Sequence, residues 1–305
     1  MKTTMKAHFY RAKYLPVLPL GEGGKVATGC EKHIALTRRA AGESMVLLKN
    51  NGTLPLSKGQ KIAVFGTGQY AYEQGGTGAG IVYTQYRRSP LDGLLAKEEE
   101  GKVEVYKPLA EFYKKDYDAQ CKWVQENAKY GPLTKYHGQF TEPELYNLFG
   151  KETALTDAQV KEAAAFTDTA IVCLSRSSGE FYDREIDRDF NITPEEQAML
   201  EQVKSNFKKI VILINAGAQI QANWLKEDWV DSVLLVGTPG MEGGNAVADI
   251  LCGDVNPSGK LTDTWAGEYT DYVTHETANE SPYFAHYEED IFVGYRYFET
   301  ILGAS

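Results

Sequence analysis

Three apolar runs in the second half of the chain limit what it can fold into: TAIVCLS (169–175), KKIVILINAG (208–217) and DSVLLVGTPG (231–240). Each is short and nearly continuous in Val, Ile and Leu, the pattern of a strand buried on both faces rather than wetted on one. EEQAMLEQVKSNF, QIQANWLKED and EGGNAVADILCG lie between and after them with helical spacing, and GKLTDTW (259–265) reads as a fourth strand of the same rhythm. Strands alternating with helices of about ten residues predict an α/β fold, a mostly parallel β-sheet sandwiched between helices on both faces through right-handed crossovers. KIAVFG (61–66) and VEVYKP (103–108) add two strands upstream.

The remaining segments fit around that sheet. Residues 1–35 read as an extended arm interrupted by prolines, 36–299 as the domain, and 300–305 as a tail and the start of a linker. Ile34–Leu48 has helical periodicity and Asn51-Gly52 marks a turn. Ser89 caps a short helix, and Thr193-Pro194 with Glu196 forms a capping-box start for another. Residues 109–165 read as polar covering helices, and 266–305 as an acidic, aromatic segment without βα rhythm.

A net charge of −10 in 305 residues offers no basic field for phosphates, which excludes a nucleic-acid partner. No apolar run reaches spanning length, so no membrane partner is expected. The N-terminus lacks an apolar signal core, and Cys30, Cys121, Cys173 and Cys252 share no short spacing. A cytoplasmic protein without disulfides, metal site or other cofactor is expected.

The richest polar stretch, RSSGEFYDREIDRDF, leaves the predicted strand 169–175 and precedes the Thr193 cap. Open α/β folds keep their chemistry on such loops. Glu180, at the first bend, reads as a general acid/base, with Asp183 and Glu185 raising its pKa and Arg184 and Arg188 opposing them. The same residues also read as a charged surface loop of weak ion pairs. Gly66-Thr67-Gly68-Gln69-Tyr70-Ala71 matches a dinucleotide fingerprint, but the helix that should follow is broken by Gly75, Gly76, Gly78 and Gly80. Tyr283, Phe284, Tyr287, Tyr295 and Tyr297 read either as sugar-stacking faces or as packing, and Trp224, Trp229 and Trp265 as packing.

Five segments in order carry a resemblance: RRAAGESMVLLKNNGTLPL (38–56), KIAVFGTG…GGTGAG (61–80), SRSSGEFYDR (175–184), VGTPGMEGGNAVADILCGDVNPSGKL (236–261) and YEEDIFVGYRYFE (287–299). Together they resemble the α/β sandwich domain of family 3 glycoside hydrolases, as in β-glucosidases. The resemblance implies a retaining exo-glycosidase acting on terminal β-D-glycosyl residues of a β-glycoside or oligosaccharide. In that family a TIM-barrel domain supplies an aspartate nucleophile and the sandwich supplies the acid/base from a loop resembling S-G-E-G-x-D-R. The loop here reads Ser178-Gly179-Glu180-Phe181-Tyr182-Asp183-Arg184, which makes Glu180 the acid/base and Glu185 its reserve. Phe181 replaces the usual glycine. Tyr182, Asp183, Arg184, Gly76 and Gly78 are the substrate-binding candidates. No stretch resembles a barrel or the nucleophile segment. An N-terminal arm running straight into RRAAGESMVLLKN resembles relatives that place the sandwich first, and the chain alone is expected to be inactive without its barrel partner. A stand-alone carbohydrate-binding or regulatory module is the alternative, and homo-oligomerisation stays open.

Overall fold

The computed structural model describes residues 29–76, 84–127, 151–177, 184–277 and 283–303. Its centre is a six-stranded sheet: β1 (Val46–Asn50), β2 (Gln60–Phe65), β3 (Val103–Val105), β4 (Thr169–Arg176), β5 (Lys209–Ala216) and β6 (Ser232–Leu235). The strand order is β1-β6-β5-β4-β2-β3. β1 runs antiparallel to β6, and every other pairing is parallel. The β4–β5 ladder runs in unbroken register from Thr169–Lys209 to Arg176–Ala216.

Alternate residues of each strand enter opposite cores, as the two-residue period of a strand requires. Ile62, Val64, Ile171, Cys173, Val211, Leu213 and Leu234 face α1 (Glu31–Ser44), α2 (Pro90–Glu99) and α6 (Gly243–Leu251), through Ala41, Leu91, Leu94, Val247 and Leu251. Ala63, Phe65, Val172, Leu174, Ile210, Ile212 and Val233 face α3 (Lys107–Asn127), α4 (Asp157–Phe166) and α5 (Pro194–Asn206), through Leu109, Tyr113, Val160, Met199 and Val203. Each fully buried Val, Leu or Ile contributes about 1.5–3 kcal/mol, so the two layers carry most of the fold's stability. The predicted sandwich is therefore what forms.

Local signals set the helix starts. Ser89 and Asp92 form a reciprocal capping box, as do Thr193 and Glu196 and, at α4, Thr156 and Gln159. α2 and α6 meet at glycines: a Cβ on Gly93 would lie 2.1 Å from the Gly244 carbonyl oxygen, and one on Gly244 would lie 1.9 Å from that of Ser89. The GG of EGGNAVADIL thus lets two helices touch backbone to backbone.

Three expectations need correction. The first helix runs from Glu31 to Ser44 rather than through Leu48, and Val46–Asn50 is a strand. Pairing with β6 overrides the helical periodicity there, because tertiary context outweighs local propensity. That edge position is consequently taken, and GKLTDTW forms no strand: Gly259 instead donates its N–H to the Met45 carbonyl, and Leu261 is exposed. QIQANWLKED yields only a single 3₁₀ turn, Asn223–Lys226. Gln221 spends its side chain on the Ile192 N–H, and the Ala222 and Asn223 amides donate to Gly267 rather than to a helix. A short helix α7 (Tyr295–Thr300) closes the described chain.

One charge network ties the α1–α2–α6 layer together. Arg38 donates through Nε and Nη2 to Asp249 at 2.6 Å each, and Lys97 Nζ sits 2.8 Å from both Asp249 and Asp254. Burial pushes the Asp249 carboxyl up, but the hydrogen bonds from Arg38 and Lys97 outweigh it and hold the group below its ordinary range. Removing one partner of a buried ion pair leaves the other charge stranded. Asp249→Ala should therefore cost about 3–5 kcal/mol in urea unfolding, whereas Arg39→Ala, whose Glu43 pair is exposed, should cost less than about 1 kcal/mol.

Candidate active site

Chemistry in this fold belongs to the rim formed by the carboxyl ends of β2, β4, β5 and β6. β2 leaves the sheet through Gly66 at φ +90, and the turn Thr67–Gln69 then passes against β4. A Cβ on Gly66 or Gly68 would lie 2.3 or 2.6 Å from the Cys173 carbonyl oxygen. These glycines therefore serve close packing on the neighbouring strand rather than a phosphate cradle. The amide that a phosphate would need is already used: Thr67 N–H donates to Glu152 Oε2 at 2.9 Å.

Glu152 is buried and also accepts from the Tyr113 hydroxyl at 3.0 Å and the Thr153 N–H at 3.1 Å. Burial pushes its carboxyl up to about 7, opposed by the Thr67 hydrogen bond. Nothing in KETALTD marks this glutamate in the sequence; only the fold turns it inward.

Asn215, near the end of β5, joins the rim loops. Its Oδ1 accepts from Ser175 Oγ at 3.0 Å and from the Glu73 N–H at 2.7 Å. Its Nδ2 donates to the carbonyls of Glu73 at 2.9 Å and Gly237 at 2.6 Å. All four hydrogen-bonding positions of the amide are used. Its one sequence signal was a lone polar residue in an otherwise apolar strand.

At the end of β4, buried Arg176 makes a two-pronged pair with Glu196, at 2.6 and 2.5 Å, and donates to the Asp189 carbonyl at 3.0 Å. Asp189 accepts the Glu185 N–H at 2.7 Å, and Arg184 Nη1 at 3.3 Å. The same Arg184 nitrogen donates to the Ser177 carbonyl at 3.0 Å. A wide π-type turn, Ile186–Phe190, then leads into α5.

The sequence-derived candidates divide accordingly. Glu180, Tyr182, Asp183 and Gly78 lie outside the described residues. Arg184 is on the rim and linked to Ser177. Gly76 is the last described residue of the loop after β2, and the Glu185 side chain is exposed while its amide is held. The tail aromatics are not core: Tyr283 and Tyr287 are each 92% exposed, and Phe284 and Tyr295 are also exposed. Trp224, Trp229 and Trp265 pack against the α3–α4–α5 core, as expected. Among the described residues no His, Cys, Asp and Glu cluster has the arrangement of a metal site, and no helix is long and apolar enough to cross a membrane.

Residues 45–295 match the Glycosyl hydrolase family 3 C-terminal domain. The chain belongs to glycosyl hydrolase family 3. It is 39% identical to β-glucosidase A of Butyrivibrio fibrisolvens, with 96% of this chain covering 36% of that protein. With the β-glucosidase of Ruminococcus albus it shares 36% identity, over 85% of this chain and 25% of that protein. Its fold superposes on β-glucosidase 3B of Thermotoga neapolitana with a TM-score of 0.74 and 36% identity, over 89% of this chain and 36% of that one. A β-glucosidase from Paenibacillus barengoltzii matches with a TM-score of 0.74 and 35% identity, over 88% of this chain and 28% of that one. This family 3 chain thus spans a minor part of the length of these relatives.

Two outcomes follow for its rim. Asn215→Asp sets a carboxylate against the Glu73 and Gly237 carbonyls, and should cost about 1–3 kcal/mol by thermal or urea unfolding. For Glu152, the folded state keeps the proton up to about pH 7, whereas the ordinary carboxylate value is 4.5. The folded state therefore binds more protons between those values, and this group's contribution to stability falls as pH rises through that window. Wild type should lose on the order of 1–3 kcal/mol there relative to Glu152→Gln, read as urea midpoints at the two ends of the window.

Proposed function

We propose that this chain is the acid/base-bearing half of a retaining β-glucosidase. Family membership supports the reading, and one observation carries it. Residues 178–183, with the sequence Ser-Gly-Glu-Phe-Tyr-Asp, follow directly from the carboxyl end of β4 in the middle of the sheet. Their flanks, Ser177 and Arg184, are hydrogen-bonded to each other. The two points where that segment joins the strand-end rim are thus tied together, and preorganisation of this kind is what proton transfer in a confined site needs.

In this reading Glu180 protonates the leaving glycosidic oxygen while an aspartate on a separate barrel domain attacks the anomeric carbon. Glu180 then takes a proton from the water that releases the sugar. The two carboxyls must come about 5–5.5 Å apart. Tyr182, Asp183, Arg184, Gly76 and Gly78 are the candidates for binding the sugar, Glu185 is the reserve acid, and the substrate is a terminal β-D-glucosyl unit. No cofactor enters the scheme. Four free thiols fit a cytoplasmic setting. A carbohydrate-binding module without chemistry is the second reading, favoured by the exposed rings of Tyr283, Phe284 and Tyr287.

Aryl β-glucoside hydrolysis separates them. The 305-residue chain should be inactive, and the polypeptide that joins it to a barrel should be active. Glu180→Ala in the latter should lose about 10²–10⁴-fold in kcat and recover with azide. Near-normal activity of Glu180→Ala would move the role to Glu185 or elsewhere. Activity of the chain by itself would refute the division of the site.

A further inference from the structure

The second half of α3 carries Asp116, Gln120 and Trp123, spaced so that all three fall on one face of the helix. That face meets the segment 151–154, and the two line a pocket of about 520 Å³. The small side chains of Ala119 and Ala154 leave the space. Small-ligand sites occupy roughly 300–1,000 Å³. None of the lining residues belongs to the acid/base loop or to the sugar-binding candidates above.

Hydrogen bonds fix the walls. Gln120 Nε2 donates to Asp116 Oδ2 at 2.6 Å and to the Lys151 carbonyl at 3.0 Å. The Thr153 hydroxyl donates to the same Asp116 oxygen, and the Thr67 hydroxyl to the Lys151 carbonyl at 3.1 Å. Buried Glu152 also lines the pocket and is held by Thr67, Tyr113 and Thr153. Two acceptors stay unused. Both donors to Asp116 seek Oδ2, so Oδ1 has no donor among the described residues, and Gln120 Oε1 is buried without one. The Gln120 amide cannot exchange its ends, because both partners of its nitrogen are acceptors. Beside these oxygens Trp123 is 49% exposed.

The lining selects a class of ligand. An indole face suits the C–H side of a sugar ring, and unused carboxylate and amide oxygens suit its hydroxyl protons. The Lys151 ammonium is engaged with Glu195 at 3.5 Å, and Asp116 would repel an anion. A cation would meet that same Lys151, while burial pushes the Glu152 carboxyl towards its neutral form. A wholly apolar ligand would strip water from Asp116 and return no hydrogen bond. A neutral ring rich in hydroxyls meets every condition.

We propose that this pocket is a second sugar-binding site, in which a neutral pyranose stacks on Trp123 and donates hydroxyl protons to Asp116 and Gln120. Binding there requires no catalysis; only the choice of a glucoside as probe rests on the β-glucosidase reading.

The test is a titration of the 305-residue chain with methyl β-D-glucoside and with cellobiose, following the indole N–H signals of its four tryptophans by NMR. The Trp123 signal, identified by its loss in Trp123→Phe, should shift and saturate, while those of Trp224, Trp229 and Trp265 stay in place. Trp123→Ala should weaken binding at least about tenfold, as loss of an aromatic anchor does. In Asp116→Asn the amide oxygen must still accept from Gln120 and Thr153, so the nitrogen takes the place of Oδ1. An acceptor becomes a donor without a change in size, and a similar loss is expected. Trp123→Ala alters a half-exposed position and keeps the test decisive if Asp116→Asn folds poorly. A Trp123 signal unmoved by either sugar overturns the proposal, as does sugar binding that is unchanged in Trp123→Ala. Equal shifts with inorganic phosphate or choline overturn the choice of a neutral sugar. Full activity of Glu180→Ala would sink the acid/base assignment and leave this titration to decide the pocket independently.

Discussion

β4 and β5 lie side by side through eight residue pairs, and all of their residues but Ser175 and Lys209 are buried. Every other feature depends on this dryness. A backbone buried on both faces must satisfy its amides within the sheet, so the strands tolerate almost only apolar side chains. Polar side chains concentrate at and beyond the last pairs, at Ser175, Arg176, Asn215 and the loops that follow. The site is on the rim because that is where the sheet again meets polar surroundings.

Ionisable groups do penetrate beneath the rim, each described one with hydrogen-bond partners. Arg176 and Glu196 are both buried and bind each other through two hydrogen bonds. Arg176 also reaches the Asp189 carbonyl, and Asp189 holds Arg184 and the Glu185 amide. Among the described residues Glu152 has three donors and no cation at bonding distance, and burial lifts its carboxyl accordingly. The contrast follows from the cost of an isolated buried charge: a paired one keeps its ionisation, and a lone acid moves towards neutrality.

The parts legible in the sequence were those fixed by local chemistry. The buried parallel strands, the Ser89 and Thr193 capping boxes and the loop after 169–175 could all be read from a few adjacent residues. Glu196 shows the limit. It was recognisable as the partner of Thr193, yet its pairing with Arg176, twenty positions away, needed the strand and helix already side by side. Glu152 and Asn215 were missed for the same reason, since their partners come from distant loops. The edge strand Val46–Asn50 hid because helical spacing continues into it and only β6 decides otherwise. The glycines at 66 and 68 suggested a nucleotide, but what they accommodate is a strand. The motif resemblance, by contrast, reached the family directly, because it reads the outcome of the whole fold rather than one local preference.

The rim separates what is fixed from what can be exchanged. Asn215 ties the loops after β2 and β6 at backbone atoms, so the side chains of Glu73 and its neighbours there can change without loosening the knot. Ser177 joins Arg184 through its backbone carbonyl, while Arg184 takes part through its guanidinium. The chain leaves and rejoins the described rim at these two linked residues, so the sheet itself does not depend on the sequence between them. On the proposed glycosidase reading, an engineer would leave Asn215 and Glu180 alone and diversify the residues around Glu180.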